Sequence, residues 1–146
     1  MLNFVRRIAI AVFTAAVLLP AGMLLVAQAT HPAASDYAGT WHWIFEGKPF
    51  ATMVLEQKDG VLTGTVTNES MHMDEQGRIT DVRSRPGSSP IVRTSIVNGV
   101  LVIVEKDGDD ELEWAMKLTS ATTAELKIQG VGAPENAEAI QVVKAQ

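Results

Sequence analysis

Cysteine is absent from the 146-residue sequence, so no disulfide can stabilise the fold and no thiol can accept a lipid. Basic residues are outnumbered, because the chain has 12 Lys and Arg against 17 Asp and Glu, and two of the arginines precede residue 8. Residues 30–146 therefore carry ten basic and seventeen acidic side chains, a net charge of −7. This acidity argues against nucleic acid or anionic lipid as a partner, and stability must come from a buried apolar core.

Long apolar runs are missing except at the N-terminus. Residues 8–27 are almost entirely apolar, follow two arginines and lead to Ala27 and Ala29, whose spacing matches a signal peptidase site. The pattern predicts a hydrophobic signal helix over residues 1–29, cleaved after Ala29, and a periplasmic or secreted protein. The run is also long enough to cross a bilayer, so an uncleaved membrane anchor at residues 8–27 stays open as the alternative.

Helical periodicity is missing after residue 38, and an alternation of apolar and polar residues takes its place. Residues 30–38, which are rich in small and polar side chains, are predicted to be a linker. In the domain at 39–146 the alternation predicts half-buried strands, and Asn98-Gly99 is the strongest hairpin signature because both residues tolerate a positive φ. The clearest alternating runs are 40–46, 61–68, 91–97, 100–105 and 111–118.

These strands recur at spacings of about eight to twelve residues, which is typical of sandwiches and barrels. We predict an all-β antiparallel meander of seven or eight strands that closes into a small barrel, because closure hides both the apolar face and the strand edges. A β-sandwich is the alternative. Residues 69–90 are rich in Gly, Ser, Pro and charge, and are predicted to be a long irregular segment with only a weak strand at 79–83.

The start of the domain resembles known barrel proteins. Gly39-Thr40-Trp41 followed by Asp59-Gly60-Val61-Leu62-Thr63-Gly64-Thr65 is similar to the first hairpin of avidin-type proteins, and Gly-x-Trp in the first strand is typical of lipocalins. Both families are calycins, so the resemblance implies a calycin-like barrel. Where avidins place the polar side chains that hold biotin, this chain has Trp43, Val66 and Asn68, so biotin is not the expected ligand.

Three residues are candidates for a ligand site inside such a barrel. Trp43 and Trp114 are predicted to face the interior, and Asn68 is the polar residue where the third strand emerges at the mouth. We expect the two tryptophans to form a wall and Asn68 to orient the ligand. The alternative is that the tryptophans only fill the core, as side chains do in most small barrels, and Trp41 is expected to plug one end.

Catalytic and metal sites have little support in the sequence. The three histidines lie in no motif that pairs one with a nucleophile, and no Gly-x-Ser-x-Gly sequence is present. Met71-His72-Met73 carries soft ligands that suit Cu(I), but neighbours in an extended chain point to opposite sides, so no metal is expected. Four arginines in or beside the irregular segment could bind an anion or a protein partner: Arg78, Arg83, Arg85 and Arg93.

The sequence thus predicts an exported, non-catalytic, calycin-like barrel that binds a small apolar or amphipathic ligand, with no cofactor and no nucleic-acid partner. The alternative is a protein-interaction or envelope-structure module that presents the loop 69–90 to another macromolecule. Contact with the membrane is expected only through residues 8–27, if they are retained.

Overall fold

The computed structural model describes residues 30–146. The predicted signal helix at 1–29, its cleavage site at Ala27 and Ala29, and the alternative anchor at 8–27 lie outside the described residues. Between residues 30 and 146, no helix is both long and apolar enough to cross a membrane.

Eight antiparallel strands form a closed barrel, in which each strand pairs with the next along the chain and the last pairs with the first. This confirms the predicted all-β meander and favours the barrel over the sandwich. A short helix, α1 (Ala34–Tyr37), precedes the strands. The strands are β1 (Gly39–Phe45), β2 (Lys48–Lys58), β3 (Val61–Met73), β4 (Ile79–Val97), β5 (Val100–Asp107), β6 (Asp110–Leu118), β7 (Thr123–Gln129) and β8 (Ile140–Lys144).

Every strand contributes side chains to one hydrophobic core. In β6, Trp114 and Met116 are buried and Leu112 is half-buried, whereas Glu111 is exposed, which is the alternation that the sequence predicts. Asn98 has a positive φ of 52° in the β4–β5 turn, as a tight hairpin requires. The barrel shape therefore follows from period-two burial on strands joined by short turns.

One end of the barrel is closed by α1 and by the residues that follow it. Tyr37 is fully buried, and its hydroxyl donates a hydrogen bond to the carbonyl oxygen of Gly99 at 2.8 Å. The indole Nε1 of Trp41 donates to the Tyr37 carbonyl oxygen at 2.8 Å. Trp41 thus fills this end, and part of the predicted linker at 30–38 belongs to the fold. A helix of one turn is too short to show a periodic pattern in the sequence.

The structure corrects the prediction for residues 69–90, which are not an irregular loop. Strands β3 and β4 run through this segment as a long hairpin whose connection is residues 74–78. The polar, glycine-rich composition was misleading, because strand pairing uses backbone N–H and C=O groups whatever the side chains are. In β4, residues 85–87 bulge opposite Asn68, and Pro86 and Gly87 lie in that bulge.

The outer part of this hairpin, residues 69–84, covers the second end of the barrel, and we refer to it as the lid. In the ring of eight strands, the β3–β4 hairpin lies on the wall opposite β7 and β8. The backbone N–H of Glu138, in the β7–β8 connection, nevertheless donates to the Gly77 carbonyl oxygen at 2.7 Å. The Glu138 carboxylate accepts a hydrogen bond from the Ile79 N–H at 2.8 Å. The lid and the β7–β8 connection therefore meet across the opening.

Gly64 lies where the sheet has no room for a side chain. A Cβ atom added there would overlap the carbonyl oxygen of Val54 in β2, because the two backbones approach closely. Gly64→Ala is expected to lower the free energy of unfolding by about 1 to 3 kcal/mol, the usual cost of overpacking. Urea unfolding measures this cost, and Thr65→Ala at the adjacent exposed position is the control, expected within about 0.5 kcal/mol of the wild type. Equal unfolding midpoints for the two variants would contradict the expectation.

Candidate functional site

Three polar side chains are buried in the otherwise apolar interior near the lid. Glu69 in β3, Ser89 in β4 and Glu105 in β5 are only 9 %, 5 % and 1 % exposed. These three strands are neighbours in the barrel. Acidic side chains are rarely buried to this extent, because removing their charge from water is costly unless a partner compensates for it.

Two tryptophans border these polar groups. The Trp114 Nε1 donates a hydrogen bond to Glu105 Oε2 at 3.1 Å. The ring of Trp43 packs against that of Trp114 in a T-shaped arrangement, with centroids 4.9 Å apart. We refer to these five residues as the interior polar cluster: Trp43, Glu69, Ser89, Glu105 and Trp114.

Two polar atoms of the interior polar cluster have no hydrogen-bond partner among residues 30–146. They are the indole Nε1 of Trp43, a donor, and Oε2 of Glu69, an acceptor when the carboxyl is ionised. Both atoms are buried from bulk solvent. A buried polar group without a partner costs about 1 to 3 kcal/mol, and such groups are uncommon in folded proteins.

The two carboxyl groups are shifted toward their neutral forms. Burial, together with the nearby charges of Glu105 and Asp107, raises the pKa of Glu69 to about 8 against the opposing charge of Arg85. Burial also raises the pKa of Glu105, although its hydrogen bonds with Trp114 and Ser89 act in the other direction. At neutral pH the Glu69 carboxyl is therefore mainly protonated.

Arg85 lies beside the cluster without forming an ion pair with its carboxylates. The Nε and Nη2 atoms of Arg85 donate to the backbone carbonyl oxygen of Glu69 at 3.0 and 2.6 Å, and Nη2 lies 3.4 Å from the Asp107 carboxylate. In the described part of the chain, no ion pair includes the side chain of Glu69 or Glu105. The interior polar cluster is thus acidic and aromatic, and residues 30–146 do not supply its counter-ion.

A groove of about 580 Å³ lies at the lid end of the barrel, and none of the five residues of the interior polar cluster lines it. Its lining includes Met71, two residues beyond Glu69 in β3, and Leu112, which pairs with Glu105 across the sheet. The carboxylates of Glu111 and Glu113 also line the groove, which is open to solvent. Its volume falls in the range of about 300 to 1,000 Å³ that small-molecule sites occupy.

The three residues predicted to bind a ligand lie in or beside the cluster. Trp43 and Trp114 are in contact and almost fully buried, and neither lines the groove. Asn68 lies opposite the hairpin bulge, where its amide nitrogen donates to the Pro86 carbonyl oxygen at 3.0 Å and its amide oxygen accepts a hydrogen bond from Ser89 at 2.9 Å. The contact between the tryptophans also fits a filled core, so ligand binding by these three residues stays a prediction.

Neither buried carboxyl group, Glu69 or Glu105, was predicted from the sequence. Glu105 could have been found, because it alternates with Leu101 and Ile103 on the inward face of β5. Glu69 could not, because the bulge at Asn68 reverses which residues of β3 face inward. Irregular pairing in a strand is not visible in composition or periodicity.

Met71, His72 and Met73 are at the end of β3 rather than in a solvated loop. Met71 packs against the core whereas His72 is exposed, so the two side chains do not converge. Within residues 30–146, no group of three or more His, Asp or Glu side chains is placed to hold a metal ion.

The arginines predicted as a possible anion or protein site are each close to an acidic side chain. Arg85 lies near Asp107, as described above. Arg78 pairs with Asp74 at 2.7 Å, Arg83 with Asp81 at 3.0 Å and Arg93 with Glu111 at 3.5 Å. Because these pairs are solvent-exposed, each contributes little to stability.

Comparison with known proteins gives no relative: no protein-family model, no curated protein and no solved structure matches the chain. The eight-stranded antiparallel barrel is compatible with a calycin-like fold. Membership of the avidin or lipocalin families rests on the short sequence resemblance alone.

Proposed function

We propose that the protein is a non-catalytic barrel that binds a small amphipathic molecule at the lid end. The apolar part of the ligand would lie in the groove, and its polar group would face the interior polar cluster. The observation that carries this proposal is the pair of buried, unpartnered polar atoms, Trp43 Nε1 and Glu69 Oε2, beside a groove of suitable size. A ligand that hydrogen-bonds to either atom removes a desolvation cost of about 1 to 3 kcal/mol.

The architecture supports this position for the ligand. The interior of an eight-stranded barrel has room for packed side chains or for one small ligand. Here Trp43 and Trp114 fill the centre, and Trp41 fills the far end, which leaves the space beneath the lid. The groove is open to solvent, and contact of the ligand's polar group with the interior polar cluster would require the lid to part from the β7–β8 connection, where the backbone groups of Gly77 and Ile79 hold it. An exported location, with residues 1–29 as the signal, belongs to the same proposal.

The alternative of a module that presents residues 69–90 to a macromolecule stays a prediction without a specific feature in its favour. The tip of the hairpin is hydrogen-bonded to the β7–β8 connection, and its arginines are paired with acidic side chains of the same chain. A segment engaged in this way has fewer groups to offer a partner.

Binding of the fluorescent amphiphile N-phenyl-1-naphthylamine tests the proposed site. The probe is expected to bind with enhanced emission and to quench Trp114 by energy transfer, since Trp114 lies next to the groove. Leu112→Gln places a polar amide in the groove, and it is expected to weaken probe binding about tenfold, which corresponds to about 1.4 kcal/mol.

Val92→Gln is the matched control for Leu112→Gln. Val92 is 49 % exposed and does not line the groove, so this variant should bind the probe as the wild type does. Absence of saturable probe binding, or equal weakening by the two substitutions, would refute the proposed site.

A further inference from the structure

We infer that the polar group of the ligand is a nitrogen cation, such as a primary ammonium or a guanidinium, held by the carboxyl groups of Glu69 and Glu105. This inference rests on the proposed binding site and narrows the class of ligand that the site accepts.

The carboxyl groups of Glu69 and Glu105 have no counter-ion among residues 30–146. The side chains of Glu69 and Glu105 are buried on neighbouring sides of β4, and no ion pair from residues 30–146 reaches either of them. The guanidinium of Arg85 is directed to the Glu69 backbone and to Asp107 instead. Buried charges in proteins are normally paired, so a cationic ligand would supply the partner that the ionised form of Glu69 lacks, in exchange for the proton that neutralises this carboxyl in the free protein.

One carboxyl oxygen of Glu69 has no hydrogen-bond partner among residues 30–146. This atom is Oε2, and Met71, two residues further along β3, lines the groove. An ammonium or guanidinium donates charge-assisted hydrogen bonds, which are shorter and stronger than neutral ones. A neutral alcohol would satisfy Oε2 without balancing the charge, and an anionic group would be repelled.

The surroundings of the carboxyl groups favour a cation as well. Trp43 and Trp114 pack against each other beside Glu105, and indole rings attract cations. Glu111, Glu113 and Arg93 line the groove, and Arg93 pairs with Glu111 at 3.5 Å, which leaves Glu113 as the net charge of the lining. Residues 30–146 carry a net charge of −7, so the approach to the site is acidic. The Trp43 Nε1 is a donor and needs an acceptor, so a ligand that also carries an oxygen atom would satisfy both unpartnered groups.

A cation at this position also predicts how affinity depends on pH. The pKa of Glu69 is raised to about 8, and the charged groups that face it are Glu105 and Asp107 of β5 and Arg85 of β4. Because a bound cation favours the ionised carboxylate, binding should release the Glu69 proton. Affinity for a cation should therefore rise from about pH 6 to about pH 9 and then level off.

Competition between amphiphiles with the same chain and different head groups tests the inference. Decylamine, decanol and decanoate are each titrated against N-phenyl-1-naphthylamine bound to the protein. Decylamine, which stays protonated over this pH range, is expected to compete at least tenfold more strongly than decanol, and decanoate more weakly than both. A tenfold difference corresponds to about 1.4 kcal/mol.

Glu69→Gln should abolish the preference for decylamine over decanol, measured as the ratio of the two competition constants within the variant, and should abolish the pH dependence of that preference. Glu125→Gln, on the exposed face of β7, is the control and should keep both. Equal competition by the three head groups, or stronger competition by decanoate, would overturn the cation inference and leave the proposed amphiphile site intact. Failure of every amphiphile to displace the probe would remove the proposed site and this inference with it.

Discussion

Glu69→Gln is expected to stabilise the protein by roughly 4 kcal/mol at about pH 9 and to leave its stability nearly unchanged at about pH 4. The pKa of Glu69 is about 8 in the folded protein and 4.5 in the reference state. Below pH 4.5 the carboxyl is protonated in both states, so it causes no ionisation penalty. As the pH rises to 8 the unfolded chain ionises while the folded protein resists, and stability is lost through that interval. Glutamine does not titrate, so the variant avoids the loss.

Urea unfolding across this pH range measures the effect as the difference in free energy of unfolding between variant and wild type. Taking the difference removes the contributions of groups that titrate identically in both proteins. Glu125→Gln, at an exposed position of β7, should give a difference that stays flat with pH. A flat difference for Glu69→Gln as well would show that the pKa of Glu69 is not raised by burial. A stabilised variant that no longer prefers cations would indicate that the buried carboxyl serves binding at a cost to stability.

Trp41→Ala is expected to lower the free energy of unfolding by about 3 to 5 kcal/mol, the range observed when large aromatic side chains are removed from cores. Trp41 is fully buried at the α1 end of the barrel. The substitution leaves the Tyr37 carbonyl oxygen without the indole donor 2.8 Å away, and it removes the ring that lies 5.2 Å from Lys144 Nζ. Since small proteins are stable by only about 5 to 15 kcal/mol, this variant should be close to unfolding at physiological temperature.

Circular dichroism during urea unfolding is the suitable measurement, because it does not depend on the tryptophan that is removed. Trp41→Phe is the matched variant: it restores most of the ring volume without the Nε1 donor, so its loss should be clearly smaller than that of Trp41→Ala. Similar losses for both variants would assign the effect to the hydrogen bond with Tyr37 rather than to the filled space. Wild-type stability for Trp41→Ala would show that this end of the barrel is not sealed by Trp41.

The barrel could be predicted because its causes are local. Leu112, Trp114 and Met116 show period two in the sequence, and Asn98-Gly99 marks a turn, so strand number and pairing follow from short-range patterns. The same patterns predicted that Trp43 and Trp114 face one common interior. What they could not show was the lid, since its strands contain few apolar residues and are held by backbone pairing and by contacts with Glu138 in a distant part of the chain.

The polar part of the candidate site depends on a register change that composition does not encode. Three residues of β4, 85–87, stand opposite the single Asn68 of β3, and beyond this point the inward face of β3 passes to Glu69 and Met71. Without the bulge, strict alternation from Val66 would direct Asn68 inward and Glu69 to solvent. Because the prediction from sequence assumed that alternation, it named Asn68 rather than Glu69 as the polar residue of the site.

The closed ring of strands also determines the order in which the strand pairs can form during folding. The final hydrogen-bonded seam joins β8 to β1 and sets Lys144 against Trp41. Each hairpin can form between strands that are neighbours in the sequence. The β1–β8 pair joins the first strand to the last, and contacts over so large a sequence separation form slowly. Until it closes, β1 offers an open edge to any other extended chain nearby, so the interval before closure is when self-association is most favourable.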